Sequence, residues 1–177
     1  MNQGSEIVTA YAFVRETAIS VPYFLQAVTL VEPVKRALPL VGNYLAFVRV
    51  EAGSLKQLQD EVVPAVHDAG ARLAEWSIAT AQPFLGRPVK TALASYGALV
   101  QVSSTAPSGI DSFIVENFSD VLGDVVPGAA SQRVQGGSTT HVVDLVGHTA
   151  EQVDELLARF ASVPGGSGLD VSFTFSD

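Results

Sequence analysis

The chain has 177 residues and no cysteine; 47% are hydrophobic and 16% charged, and 10 Lys+Arg stand against 18 Asp+Glu for a net charge of −8. So apolar a composition, with a mean hydropathy of +0.31, excludes a disordered chain, and the length suits one large domain or two small ones. The acidic balance excludes a charge-driven grip on nucleic acid or anionic lipid, and the absent thiols exclude disulfides, thiolate catalysis and cysteine metal sites.

No basic region precedes an apolar one at the N-terminus, so no secretory leader is expected. The most apolar stretch, residues 21–50, is broken by Glu32, Lys35, Arg36 and Arg49 and does not read as a bilayer span. A cytoplasmic setting follows as the expectation.

Residues 8–16 are rich in β-branched and aromatic side chains and predict a strand. Ser20-Val-Pro22 opens a helix, with Ser20 as N-cap, and Val21, Phe24, Leu25, Val28 and Val31 give it one apolar face. A weak strand over 34–41, a Gly42-Asn43 turn and a strong strand over 44–51 follow. Ser54-Leu-Lys-Gln57 has the spacing of a capping box, in which Ser54 caps the amide of Gln57 and Gln57 reaches back to the amide of Ser54. Leu55, Leu58, Val62, Val66 and Ala69 line the helix it starts, Pro64 should kink that helix, and Gly70 ends it. Residues 72–82 predict the next strand.

Pro83-Phe-Leu-Gly-Arg-Pro88 is the best linker candidate. Beyond it the grammar repeats: a strand within 90–104, with Gly97 as a bulge, then a helix opened by Ser108-Gly-Ile-Asp111. Strands over 130–135 and 140–146 flank Gly136-Gly137. A second capping box, Thr149-Ala-Glu-Gln152, opens a helix, and an alternating strand covers 169–175, with Val171, Phe173 and Phe175 on one face and Asp170, Ser172 and Thr174 on the other, wet or cavity-facing side. Ser54 corresponds to Thr149 at an offset of 95 residues, which also aligns Val48 with Val143, Val50 with Leu145, Gln57 with Gln152 and Arg49 with Asp144. A duplication is the simplest reading.

The order strand-helix-strand-strand-helix-strand, twice, predicts an α+β fold of two tandem ferredoxin-like βαββαβ units, residues 1–86 and 87–177. Phe13 faces opposite to Val14 and Phe47 opposite to Val48, so the sheets are apolar on both sides and need cover on both. The economical arrangement packs the units sheet to sheet as a single-chain α/β barrel, helices outside.

The Gly42-Asn-Tyr-Leu-Ala-Phe-Val-Arg-Val-Glu-Ala52 hairpin and its capped helix resemble the ligand-binding module of Lrp/AsnC-type regulators, and more widely the dimeric α/β-barrel class. That resemblance implies effector-binding modules or small cofactor-free monooxygenases and isomerases; the Lrp-type DNA-binding helix-turn-helix has no counterpart here. Ala52-Gly-Ser-Leu55 and Ala69-Gly70 also suggest, less closely, a tandem ACT-like amino-acid sensor.

No nucleophile elbow, phosphate loop, dinucleotide fingerprint or HExxH motif is present, and His67, His141 and His148 are not spaced to share a metal. Neither metal nor cofactor is expected, and no catalytic residue is assigned. Charged residues inside strands are the informative ones. Arg15 follows Tyr11 and Phe13 at period two, Arg49 follows Leu45 and Phe47, and Asp144 lies with Val142 and Val146. The expected ligand-binding set is Tyr11, Arg15, Arg49, Trp76, His141 and Asp144, with Tyr44 and Tyr96 as further phenol donors. Two arginines and one aspartate in an apolar lining compose a small-molecule pocket; the competing reading is an Arg–Asp ion pair. The expected function is binding of an anionic or aromatic organic ligand, with a cofactor-independent enzyme (monooxygenase, isomerase or cyclase) as the alternative. The expected partner is thus a small organic molecule, not nucleic acid or membrane, with homo-oligomerisation left open.

Overall fold

In the computed structural model, which describes residues 7–86, 96–122 and 125–175, the chain divides into two units, one up to Ala79 and one from Thr80. Unit 1 holds β1 (Val8–Thr17), α1 (Val21–Thr29), β2 (Val34–Pro39), β3 (Ala46–Ala52), α2 (Leu55–Gln57), a π turn (Leu58–Val62), α3 (Val63–Asp68) and most of β4 (Ala71–Leu85). Its strand order is β2-β3-β1-β4, all antiparallel. Alternation sends Ala10, Ala12, Val14, Ala46, Val48 and Val50 to one side, where Phe24, Val28, Leu58, Val62 and Val66 of the helices complete the core. The alanines leave room for Phe24 to pack close to the sheet.

Unit 2 repeats the order with β5 (Tyr96–Ser103), α4 (Pro107–Phe118), β6 (Gly128–Gln135), β7 (His141–Gly147), α5 (Ala150–Ala158), a 3₁₀ turn (Arg159–Ser162) and β8 (Gly168–Phe175). Its strands run β6-β7-β5-β8, again antiparallel. The end of β4 belongs to this unit: Thr80 Oγ1 donates to the Arg133 carbonyl at 3.2 Å and Gln132 Nε2 donates to the Thr80 carbonyl at 3.1 Å. On the helix side Phe113, Phe118 and Phe160 form a triangle with centroids 5.2–6.1 Å apart, over Val100, Val143 and Leu145. Each unit therefore has the ferredoxin-like strand order, with its helices on one face of the sheet.

Several local expectations are corrected. Ser20 stands at the N-cap of α1 without a side-chain cap bond, and Pro22, whose missing N–H is harmless in a first turn, marks the start. Pro64 does not simply kink a helix: it offers no N–H to the Asp60 carbonyl, and the preceding turn widens so that Val63 N–H reaches Leu58. Both capping boxes are shifted by one residue on their return arm. Ser54 Oγ accepts from Gln57 N–H at 3.0 Å, but Gln57 Oε1 accepts from Gly53 N–H at 2.6 Å. Likewise Thr149 Oγ1 accepts from Gln152 N–H at 3.2 Å and Gln152 Oε1 accepts from His148 N–H at 2.8 Å. Gly97 makes no bulge, since β5 pairs with β7 and β8 without a register shift. A Cβ there would sit 3.1 Å from Thr174 Cγ2 and 3.2 Å from the Leu145 carbonyl, so glycine serves close packing instead. The proposed linker begins inside β4, and its end, from residue 87, lies outside the described residues. Among the described residues no helix is long and apolar enough to cross a membrane.

Candidate functional site

The helix-free face of each sheet carries what the core side does not. In unit 1, cross-strand pairing builds two rows on that face. Arg36, Arg49, Tyr11 and Ser77 form one, and Leu38, Phe47, Phe13 and Glu75 the other. Tyr11 is 6% exposed, Phe13 and Phe47 each 1%, and Tyr44 4%, although none belongs to the core beneath the helices. The aromatic part of this face is thus as dry as the helix side, while Arg15 and Glu75 at its end stay exposed. Tyr11 stacks on Phe47 with centroids 5.8 Å apart, and Phe13 lies 5.2 Å from Phe47 and 5.3 Å from Tyr44.

Charge enters this aromatic floor at two places. Arg49 lies directly across from Tyr11, with Arg36 on its other side. Two guanidiniums at opposed positions repel unless anionic groups intervene. Glu51 comes within 3.8 Å of Arg49, while Arg49 Nε is buried and makes no hydrogen bond. The second place is the end of the β1–β4 pair, where Arg15 reaches Glu75 at 3.0–3.1 Å and the Tyr44 hydroxyl at 3.3 Å, its guanidinium 4.6 Å above the Tyr44 ring. The Tyr44 hydroxyl donates to the other oxygen of Glu75 in a short hydrogen bond. The buried phenol and the half-exposed carboxylate and guanidinium form one chain ending at solvent. It can hold a proton on Tyr44 and stabilise its departure.

In unit 2 the helix-free face is acidic and amide-bearing. Its rows are Gln132, Val142, Gln101 and Asp170, then Ala130, Asp144, Leu99 and Ser172. Asp144 is half-buried, as Arg49 is.

The expected residues separate accordingly. Tyr11 and Arg49 are cross-strand neighbours, Arg15 shares their face of unit 1, and Asp144 lies on the helix-free face of unit 2. Trp76 and His141 do not join them. Trp76 packs against the helix-side core of unit 1. His141 is fully buried on the helix side of unit 2, its Nε2 2.8 Å from Asp111 Oδ1 and its Nδ1 3.0 Å from Thr140 Oγ1. Asp111 also binds Arg133 closely, tying α4 to β6 and β7. Burial lowers the pKa of His141, against the pull of Asp111 and with a smaller push from Arg133. Neutral His141 donates Nε2–H to the Asp111 carboxylate, and its Nδ1 lies against the Thr140 hydroxyl, which also reaches the Val102 carbonyl at 3.1 Å; the ring is a structural clip. His67 and His148 are exposed, as is Tyr96. Reasoning from sequence missed Glu75 as a site residue. Its alternation with Trp76 was visible, but which of the two faced the helices was not.

No protein-family model matches the chain, and no curated protein matches it. Solved structures do. Chlorite dismutase from Candidatus Nitrospira defluvii in complex with imidazole superposes with a TM-score of 0.59 at 9% identity, over 99% of this chain and 93% of that one. An arginine mutant of the same enzyme gives 0.58 at 9% identity over 96% and 92%, and a tryptophan mutant in complex with cyanide 0.55 at 11% over 99% and 92%. At such identity the likeness is one of fold. It places the chain with the ferredoxin-like chlorite dismutase fold; the finer resemblance to an Lrp/AsnC-type tandem gains no support from these structures.

Proposed function

We propose that this chain is a small-molecule enzyme of the dimeric α/β-barrel class, built as a tandem repeat, that holds a small organic anion against the helix-free face of unit 1. The observation that carries the reading is the Arg49–Tyr11 pair: a guanidinium with a buried, unpartnered Nε, set directly across the strands from an aromatic ring. Such a surface recognises a carboxylate attached to a flat or apolar body. The matching capping boxes support the duplication. Enzyme is preferred to a pure binding module because Tyr44, Glu75 and Arg15 supply a proton-handling chain on the same face as Arg49, and because the similar solved structures are of an enzyme.

In this reading Arg49 orients the anion, Tyr11 and Phe47 pack its body and exclude water, and Tyr44 gives or takes a proton with Glu75 as its partner. Imidazole and cyanide, bound by the similar enzyme, are good ligands for metal ions, so a metal-bearing group has to be weighed against these residues. Both ring nitrogens of the buried His141 are engaged, and among the described residues no three His, Asp or Glu side chains could hold an ion together. The described residues thus offer no cage for a bare ion, and the roles assigned here belong to Arg49, Tyr44 and Glu75.

The test is a panel of small aromatic and aliphatic acids, followed by thermal shift and by chemical conversion in air. Arg49→Ala should melt near the parent and lose the ligand-induced shift. Glu75→Gln and Tyr44→Phe should keep the shift and lose turnover by about 10²-fold or more. An Arg49→Ala protein that still responds to the same acid removes Arg49 from the site, and binding with no conversion of any acid returns the protein to the binding-module reading.

A further inference from the structure

The helix-free face of unit 2 gathers three polar side chains around one leucine. β5 and β8 pair in unbroken register, Gln101 opposite Asp170 and Leu99 opposite Ser172. Side chains at such opposed positions start about 4.5–5.5 Å apart, so the four make one compact patch. Gln101 is 6% exposed, Leu99 2% and Ser172 1%, and neither Gln101 Nε2 nor Ser172 Oγ has a hydrogen-bond partner. Gln101 Oε1 accepts from the hydroxyl of Thr139, which precedes β7, at 3.4 Å. β7 and β8 flank β5 on opposite sides, so the amide nitrogen is left for the β8 side, where Asp170 stands. The amide and the carboxylate are complementary and in register, yet Nε2 is not bonded across. A carboxylate has lone pairs for several donors, so Asp170 can accept one more whatever else it binds. Buried donors are nearly always satisfied, and two left open on one patch mark a place where an outside group completes them.

What the patch offers decides the class of that group. Gln101 supplies a donor, Asp170 an acceptor, and Ser172 a hydroxyl that can act as either. A carboxylate or phosphate would meet like charge from Asp170, and from Asp144 on the same face. An ammonium ion would turn hydrogens toward Gln101 Nε2 and leave that donor open. A ketone would answer Gln101 and give Asp170 nothing. A carboxamide answers all three: its oxygen has two lone pairs, for Gln101 Nε2 and Ser172 Oγ, and its N–H lies beside that oxygen for Asp170. An alcohol carries the same functions on one atom, where three side chains from two strands would have to converge. We infer that unit 2 holds a binding site of its own for a neutral carboxamide, a primary amide or a lactam, whose apolar body packs on Leu99. The site lies wholly within unit 2 and does not involve Arg49, so it stands or falls apart from the anion reading.

The side-chain amide resonances of Gln101, assigned through its backbone in labelled full-length protein, report on this site directly. Benzamide should shift them. Benzoate, benzyl alcohol and N,N-dimethylbenzamide, which has no N–H, should leave them in place at the same concentrations. Calorimetry should give benzamide an affinity about tenfold or more above that of N,N-dimethylbenzamide. That preference should vanish in Gln101→Leu, shrink in Ser172→Ala and persist in Arg49→Ala. Resonances unmoved by benzamide would mean that water or Asp170 itself satisfies Gln101, and would overturn the site. Equal shifts with benzyl alcohol would overturn the carboxamide assignment, as would a preference that survives Gln101→Leu. Should Gln101→Leu not fold, Ser172→Ala decides, and an undiminished preference there overturns the proposal. Benzamide binding lost in Arg49→Ala would contradict its placement in unit 2.

Discussion

His141 shows how much a single strand position can carry. It begins β7, is fully buried, and is held between the Thr140 hydroxyl and Asp111 of α4, which is itself paired with Arg133 of β6. Burial keeps its pKa below the ordinary 6.5. The folded chain therefore binds fewer protons than the unfolded chain between those two values, and stability falls as pH drops through that window. Melting temperature should be steady on the alkaline side, decline below about pH 6.5, and decline less in His141→Asn, which cannot take up the proton. Removing the ring outright, His141→Ala, should cost roughly 2–3 kcal/mol in urea unfolding, because Asp111 loses a buried partner and a cavity opens. At the surface, Arg159 joins Asp120, Glu155 and the Asn117 carbonyl, and its guanidinium lowers the pKa of Asp120. Such exposed pairs are worth little each.

Elements were the scale at which the sequence spoke most clearly. Period-two runs of Val, Phe and Tyr marked β1, β3 and β7, and helical spacing of Phe24 and Val28, or of Val153 and Leu156, marked the helices that bury them. Ser54 and Thr149 announced the two helix starts, and both side chains do cap. Ser54→Ala and Thr149→Ala should each lower unfolding free energy by about 1 kcal/mol. Gly97 was legible as special but for the wrong reason. A bulge is a backbone event that sequence can suggest, whereas close approach depends on where Thr174 and the Leu145 carbonyl arrive from distant elements. Gly97→Ala should accordingly destabilise by about 1–3 kcal/mol through overpacking, and circular dichroism should show the same strand content. Pro64 is a similar case, its effect displaced into the preceding turn.

For the whole molecule, two-sided apolar strands already implied that each sheet needs cover on the face away from its helices. If such cover comes from the second repeat, a fragment ending at residue 86 self-associates in light scattering because that face is left bare; a well-behaved monomer counts against that arrangement. The candidate site was legible in part. Tyr11, Arg15 and Arg49 share one face because alternation in β1 and β3 fixes their side once Val14 and Val48 are assigned to the core. Trp76 and His141 lie on the helix side of their strands, because which face of β4 and β7 meets the helices is fixed by packing and not by alternation. Glu75 was not singled out because a charge in a mixed strand gains meaning only from register.

On the proposed function, an organic acid binds on the helix-free face, against Tyr11 and Phe47, and not among the helices. Isotope-filtered NOE spectroscopy on labelled full-length protein, with the tightest-binding unlabelled aromatic acid of the panel, distinguishes the two. Contacts are expected from the ligand ring to the Tyr11 and Phe47 ring protons and none to the Val48 or Val143 methyls; contacts to those helix-side methyls, with Tyr11 and Phe47 silent, would overturn the proposal.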